Sequence, residues 1–582
     1  GLEIEVRLHD LIKIIKYNIL SEVIQIFPNY IVAQCYDNTQ SLKLYDKVIY
    51  LQEPLSMELA PGLLTNVFDG IQRPLKKIFS HFKEGELKRG IAFSPLSRTK
   101  KWHFKPLRKI EETVNSGDLI GSVQETTSIE HKIKVPPGFF GKITYIADEG
   151  DFTIIDEIYR LEVNDKEKSF SMLQKWPINR KRPYKRKIKP FKPLITGTRV
   201  IDLLFPIAKG GTLAIPGGFG TGKTVLLQTI AKYCNADIII FIGCGEPGNE
   251  IANILKQFEE VYDSKTNRPL LEHIVVIANA SNMPVSAREA SLFSGVTFAE
   301  YYRDMGYDVA IIADSTTRWA EALREISGLL EEMPAEEGYP AYLPKKLSSF
   351  YERAGVIKSL GRDNSGKRNI GSLTIIGSIS PPAGDLGEPV TAATKRVVQG
   401  LIALDMNLSY LKQYPAINWL KSYSNYSDYV SEWWIEKDIK WPEIDIDWLG
   451  CQKQVDEILS KENDLKYIMQ LVGKKNLPDD QRLHLFIADL INNGLLIQNA
   501  FEEIDNFTDY KKLLGLTKVV LLLFKEGKFL LTQGYKFDDR KEDEIMYDII
   551  RATHSIPNEE FNKIENLKNK ILKETLKSVF VK

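Results

Sequence analysis

The stretch Gly217-Gly218-Phe219-Gly220-Thr221-Gly222-Lys223-Thr224 fits the spacing G-x-x-x-x-G-K-[ST]. It stands between the apolar run TLAIP and a helical pattern, KTVLLQTIAKY, which is the context such a loop needs to hold a polyphosphate. Glycines at 217, 218, 220 and 222 leave the backbone free to wrap the anion, with N–H groups and a helix amino end pointing inward. In that arrangement Lys223 reaches the β and γ phosphates and Thr224 ligates Mg2+. Two acids stand where the same chemistry needs them. Asp314 ends the run VAIIA; an apolar strand closed by Asp is common, and it gains meaning as a direct or indirect Mg2+ holder only beside a phosphate loop. Glu246 lies in GCGEPGNE, residues 243–250, just after the run IIIFI. A carboxylate there could orient an attacking water, or it could cap the helix expected to start near Asn249; the residues alone leave both readings open.

These residues need a parallel sheet to bring them together. From Thr196 to about Tyr426 the chain alternates apolar runs (TLAIP, DIIIFIG, HIVVIANA, DVAIIAD) with helical patterns at Lys223 to Tyr233, Asn249 to Tyr262, Val285 to Met305 and Arg318 to Ile326. That order predicts an α/β core with right-handed crossovers, whose strand carboxyl ends carry the site. Flanking it, residues 1–60 read as an amino-terminal β-barrel and 61–93 as the start of the nucleotide-binding core. Residues 94–178 read as an inserted β module, 179–426 as the core proper, and 427–582 as a helical domain. The segment NRKRPYKRKIKPFKP, 179–193, has eight basic residues in fifteen and three prolines. It reads as a solvated linker or edge strand rather than an RNA-binding stretch.

At 582 residues the chain has room for roughly three to five domains. Lys plus Arg and Asp plus Glu are equal at 77 each, so no global field draws it to nucleic acid or an anionic membrane. The cysteines, Cys35, Cys234, Cys244 and Cys451, lack zinc-ligand spacing and read as buried thiols in a reducing compartment. With no bilayer-length apolar run and no signal-peptide pattern in GLEIEVRLHD, the expectation is a soluble intracellular chain.

The phosphate loop, GCGEPGNE, SNMPVSAREAS (281–291), AEYYRDMGYDVAIIADSTTRWAEALREISG (299–328), EEMPAEEGYPAYL (331–343) and YPAINW (414–419) together resemble the catalytic A subunit of archaeal and vacuolar-type rotary ATPases. DGIQRPL (69–75) and QKWP (174–177) extend the resemblance over nearly the whole chain. It implies a β-barrel, an inserted bulge domain, a RecA-like P-loop core and a carboxyl-terminal helical bundle. It also implies ATP/ADP and Mg2+ as ligands, and a hexamer in which A alternates with B subunits that supply an arginine finger in trans. Central and peripheral stalk subunits would connect that head to the cytoplasmic face of a membrane, which the chain meets only through the complex. Carried over by residue, Lys223 and Thr224 serve phosphate and Mg2+, Glu246 polarises water, Asp314 belongs to the Mg2+ environment, and Arg318 steadies the acids. Tyr414 and Phe501 match the aromatic pair around adenine; taken singly, each reads as readily as core packing.

The chain departs from that pattern in four places. Pro247 stands where the family usually has the arginine of GERGNE, expected at the γ phosphate. Proline offers no donor and pushes Glu246 toward extended backbone angles, at a cost on the order of a hundred-fold or more in rate. Leu329 replaces an arginine, Ser409 to Gln413 (SYLKQ) replaces an arginine-rich run, and Gly218 stands where proline is usual. The leading reading is therefore the A subunit of an A/V-type ATP synthase, coupling ATP turnover to proton or sodium transport. The alternative is an A-like subunit that binds nucleotide and assembles with B but is catalytically impaired at Pro247. A Rho-type helicase is a third, and nothing in the sequence resembles its RNA-stacking surface.

Overall fold

In the computed structural model, residues 5–81, 90, 93–262, 268–538 and 542–581 are described. Gly1 to Ile4, and most of 82–92 in the stretch expected to open the core, lie outside them. The core is a ten-stranded sheet. Its parallel part runs, in spatial order, Gly400–Leu401, Thr212–Pro216, Ile370–Ile379, Asp308–Asp314, Ile238–Cys244, Ile274–Asn279 and Val67–Phe68. Every residue of Thr212–Pro216 and Ile238–Cys244 is buried, as a strand covered by helices on both faces requires. The helices Lys223–Tyr233, Gly248–Glu260, Val285–Asp304 and Thr316–Leu329 supply that cover, each following its strand as expected.

Tyr423–Ser424 and Gly355–Lys358 add antiparallel edges to the sheet. The basic segment becomes one more: Arg186–Ile188 pairs antiparallel with Gly355–Lys358. Some of its cations are engaged within the chain. Arg182 is buried with Nε 2.8 Å from Asp304 Oδ2, and Lys187 Nζ donates to the carbonyls of Glu352 and Ala354.

Before the core, four antiparallel strands (Asp10–Ile14, Ile19–Ile26, Ile31–Cys35 and Val48–Pro54) form one sheet. The inserted region contributes two four-stranded antiparallel sheets. Alternation sets their faces: in Lys101–Pro106, Trp102 and Phe104 are buried while Lys101, His103 and Lys105 are exposed. The module is locked to the core helix Val285–Asp304 by a buried polar cluster. His131 Nδ1 lies 2.6 Å from Glu125 and Nε2 2.8 Å from the Tyr301 hydroxyl, while the Tyr302 hydroxyl donates to Glu125.

After the core, Ser427–Glu436, Trp448–Val472, Asp479–Asp489, Tyr510–Thr532 and Glu542–Ser555 form a helical bundle. Its apolar core is continuous with that under the phosphate-loop helix. Asp479–Asp489 continues into a π-helical stretch, Leu490–Leu496, which the 3.6-residue period did not predict. Three of the four cysteines are buried; Cys35 is only part-buried, against the expectation that all four are core thiols. Among the described residues no helix is long and apolar enough to cross a membrane.

Candidate functional site

Three strand ends converge. Because the strands are parallel, the carboxyl ends of Thr212–Pro216, Ile238–Cys244 and Asp308–Asp314 open on one edge of the sheet, with Gly243 level with Asp314. The loop after Pro216 turns through Gly220 (φ 78°) and Gly222 (φ 83°), left-handed angles that glycine adopts without strain, and delivers Lys223 at the first turn of its helix. The Lys223 ammonium donates to the carbonyls of Gly217 (2.6 Å) and Gly218 (2.9 Å). Burial lowers its pKa, and the acids Asp314 and Glu246 oppose that fall. Phe219, at the loop tip, is almost fully exposed.

Asp314 is buried. Its Oδ1 accepts from the Ser378 hydroxyl at 2.6 Å, and its Oδ2 has no partner among the described residues. Burial raises its pKa against the pull of Ser378, Lys223 and the Thr224 hydroxyl. An orphaned buried carboxylate oxygen beside a threonine hydroxyl suits a hard, oxygen-seeking cation, so the donor set fits Mg2+.

Glu246 is half-buried and its carboxyl is pushed up to about 7. Burial is the main cause, followed by repulsion from Asp314 and Glu250; Arg318 pulls the other way. The helix-cap reading of Glu246 does not hold, because the residue before the helix Gly248–Glu260 is Pro247 and no side chain caps that end. Pro247, exposed with φ −58°, sits where a missing N–H breaks no helical bond, while its carbonyl accepts from Glu250 and Ile251. Gly245 (φ 75°) lets Arg318 approach: a Cβ there would stand 2.6 Å from Arg318 Cβ. Arg318, half-exposed, pairs with Glu321 at 2.9 Å.

Beyond the loop a pocket of about 720 Å3 opens toward the bundle, lined by Gly222, Tyr414, Gln498, Phe501 and His554 among others. Tyr414 and Phe501 are 41% and 84% exposed, which removes the core-packing reading for both. Ser409, in the segment that departs from the family, joins the two ends of the site. Its hydroxyl donates to Gly220 O at 2.9 Å and lies 3.0 Å from the Tyr414 hydroxyl.

Sequence reasoning missed what holds the Phe501 side of this pocket. Arg199, fully buried in the helix Arg199–Leu204, donates from Nη1 to Asp505 Oδ1 at 2.5 Å and to the Thr508 hydroxyl at 3.0 Å, and from Nε to Leu495 O at 2.6 Å. Gln498 accepts from Arg199 N, and its own N–H joins Tyr414 O. His554 Nδ1 completes the group, 2.9 Å from Asp505 Oδ2. Glu502, Asp505 and His554 bring ligand atoms within 4.8 Å of one another, but Asp505 is already the counter-ion of Arg199. The partners lie about three hundred positions apart in sequence, so no local spacing signals them. Ser378, which holds Asp314, is likewise brought in by a neighbouring strand.

Residues 197–424 match the nucleotide-binding domain of the ATP synthase alpha/beta family, 93–179 its barrel-sandwich domain, and 437–539 the C-terminal domain of V and A type ATP synthase. The chain is 47% identical to the A subunit of the A-type ATP synthase of Methanopyrus kandleri over 97% of its own length and 94% of the relative's. It is 45% identical to the V-type ATP synthase alpha chain of Clostridium botulinum over 98% and 94%. The assembled ATPase EscN of an enteropathogenic E. coli type III secretion system has a similar fold, with a TM-score of 0.60 over 89% of this chain and 96% of that one. At 19% identity that likeness concerns the fold alone. A phosphate loop and two carboxylates at one sheet edge, with identity of this order along nearly the entire chain, place it in the nucleotide-binding ATP synthase alpha/beta family, among the A subunits, or alpha chains, of the A and V types.

Proposed function

We propose that this chain is the catalytic subunit of an A/V-type ATP synthase, interconverting ATP with ADP and phosphate and coupling that to proton or sodium transport. The observation that carries the reading is the convergence of Lys223, Thr224, Glu246 and Asp314 on one sheet edge that opens into an aromatic-walled pocket. Residues 217–224 cradle the phosphates with backbone N–H groups, and Lys223 transfers its donors from the loop carbonyls to the β and γ oxygens. Thr224 and Asp314 would hold Mg2+, which neutralises charge on the β and γ phosphates when bound. Glu246, ionised, orients a water for in-line attack on the γ phosphorus, with no covalent intermediate, and Arg318 beside it favours the charged carboxylate. Tyr414 and Phe501 take the adenine ring between them.

B subunits alternate with this chain in a hexamer and add an arginine finger in trans. Stalk subunits tie the head to the cytoplasmic face of the membrane, and no contact with nucleic acid is part of the reading. Reconstitution with the B partner tests it: Mg2+-dependent ATP hydrolysis is the expected result, and failure to bind nucleotide at all would overturn it.

One observation favours a second reading, a subunit that binds nucleotide but turns it over slowly. Pro247 precedes the helix beside Glu246 and offers no cation there. In that case Pro247→Arg raises hydrolysis in the reconstituted complex by on the order of a hundred-fold. A normal wild-type rate, unchanged by the substitution, eliminates the impaired-site reading.

A further inference from the structure

A short helix, Met406–Tyr410, lies along the outside of the phosphate loop. At one end a Cβ on Gly218 would stand 2.9 Å from Met406 Sδ, so the sulfur fills the space that a side chain there would need. One turn further on, the part-buried Ser409 donates its hydroxyl to Gly220 O at 2.9 Å. The Tyr414 ring makes a third contact: a Cβ on Gly222 would meet its Cε1 at 3.5 Å. Gly218 and Ser409 are both positions where the chain departs from the family pattern, and both lie in this contact.

The direction of the hydrogen bonds follows from the donors available. A carbonyl only accepts, so the single Ser409 hydroxyl proton goes to Gly220 O. The Tyr414 hydroxyl, 3.0 Å from Ser409 Oγ, is then the donor to it, with the Ser409 carbonyl a longer second acceptor at 3.5 Å. The result is a one-way chain from Tyr414 O–H to Ser409 Oγ–H to Gly220 O. It ends on a peptide group of the loop. The Gly220 carbonyl and the Thr221 N–H belong to one trans peptide and point in opposite directions, so bonding the carbonyl to Ser409 turns the N–H to the other side. Among the described residues that N–H has no acceptor.

We propose that Ser409 is a positioning residue through which the two ends of the nucleotide site reinforce each other. A base on the Tyr414 ring steadies the Gly220–Thr221 peptide, and a phosphate chain in the loop steadies the ring. The coupling is reciprocal, as binding linkage requires. The inference rests on the reading that residues 217–224 hold phosphates and Tyr414 faces the base.

A ligand that never reaches the ring gives the test. Mg2+-tripolyphosphate fills the loop without a base, and its affinity is compared with that of Mg2+-ATP by equilibrium competition on the complex reconstituted with the B partner. Tyr414→Phe keeps the ring, removes only its hydroxyl, and should weaken tripolyphosphate about two- to tenfold. In a Ser409→Ala background the same substitution should leave tripolyphosphate unchanged, because the chain of hydrogen bonds is already cut. A Tyr414 hydroxyl that served the base alone would weaken ATP and spare tripolyphosphate. A Ser409 that merely packed would leave the cost of Tyr414→Phe equal in both backgrounds. Either result overturns the proposal while the nucleotide site stands. A wild-type complex that binds ATP but no tripolyphosphate also overturns it, since the chain of hydrogen bonds needs no base to form. Binding of neither ligand overturns the reading of the site and this inference with it.

Discussion

The two ends of the nucleotide pocket are built in opposite ways. At the phosphate end the functional groups come from short contiguous stretches, each closing a buried strand, and backbone geometry places them: Gly220 and Gly222 shape the loop, and parallel register sets Gly243 beside Asp314. At the base end Tyr414, Phe501 and His554 come from three separate segments, and side chains hold them, above all Arg199 and Gln498. The difference teaches that chemistry and affinity fail separately here. Loss of the carboxylate Glu246 at the first end should stop turnover and spare binding, whereas damage at the second should cost affinity or stability and spare the chemical step.

Glu246→Gln puts the sharpest strain on that contrast. It should lower ATP hydrolysis by about 10^2- to 10^4-fold while nucleotide still binds, as measured by turnover and equilibrium titration in parallel. An equal loss of both would merge the two ends. Asp505→Ala leaves Arg199 as an uncompensated buried charge and should cost about 3–5 kcal/mol, read as a lowered denaturant midpoint. Tyr414→Ala and Phe501→Ala should each weaken binding by about 1–3 kcal/mol, with kcat little changed at saturation.

The pH profile separates the ends in another way. With its folded pKa raised to about 7, Glu246 is protonated below that pH and cannot orient water as a carboxylate. The profile of kcat/KM, which reports the free enzyme, should therefore fall about tenfold per unit below pH 7. Glu246→Gln should lack that limb, and Phe501→Ala should keep it.

The same contrast explains what was legible in the sequence. The phosphate loop, Glu246 and Asp314 could be read because apolar strands and their terminal residues are adjacent in the chain, and the strand and helix order implied the sheet. The role of Pro247 was legible only in part. Its threat to catalysis follows from residue type, but its position as the residue before a helix, where it fits without strain, appears only in the fold. Arg199, Asp505 and His554 gave no signal, since a buried ion pair between residues 306 positions apart has no periodicity. The π-helical turn Leu490–Leu496, which feeds the Leu495 carbonyl to Arg199, was hidden because an apolar run reads alike with either helical pitch.

One structure, the chain with Mg2+ and a non-hydrolysable ATP analogue, tests the account most directly. Lys223 Nζ, which here donates to the carbonyls of Gly217 and Gly218, should be found on the β and γ oxygens, with Glu246 facing the γ phosphate and the base between Tyr414 and Phe501. Lys223 still on the loop carbonyls, with the triphosphate bound elsewhere, would contradict it.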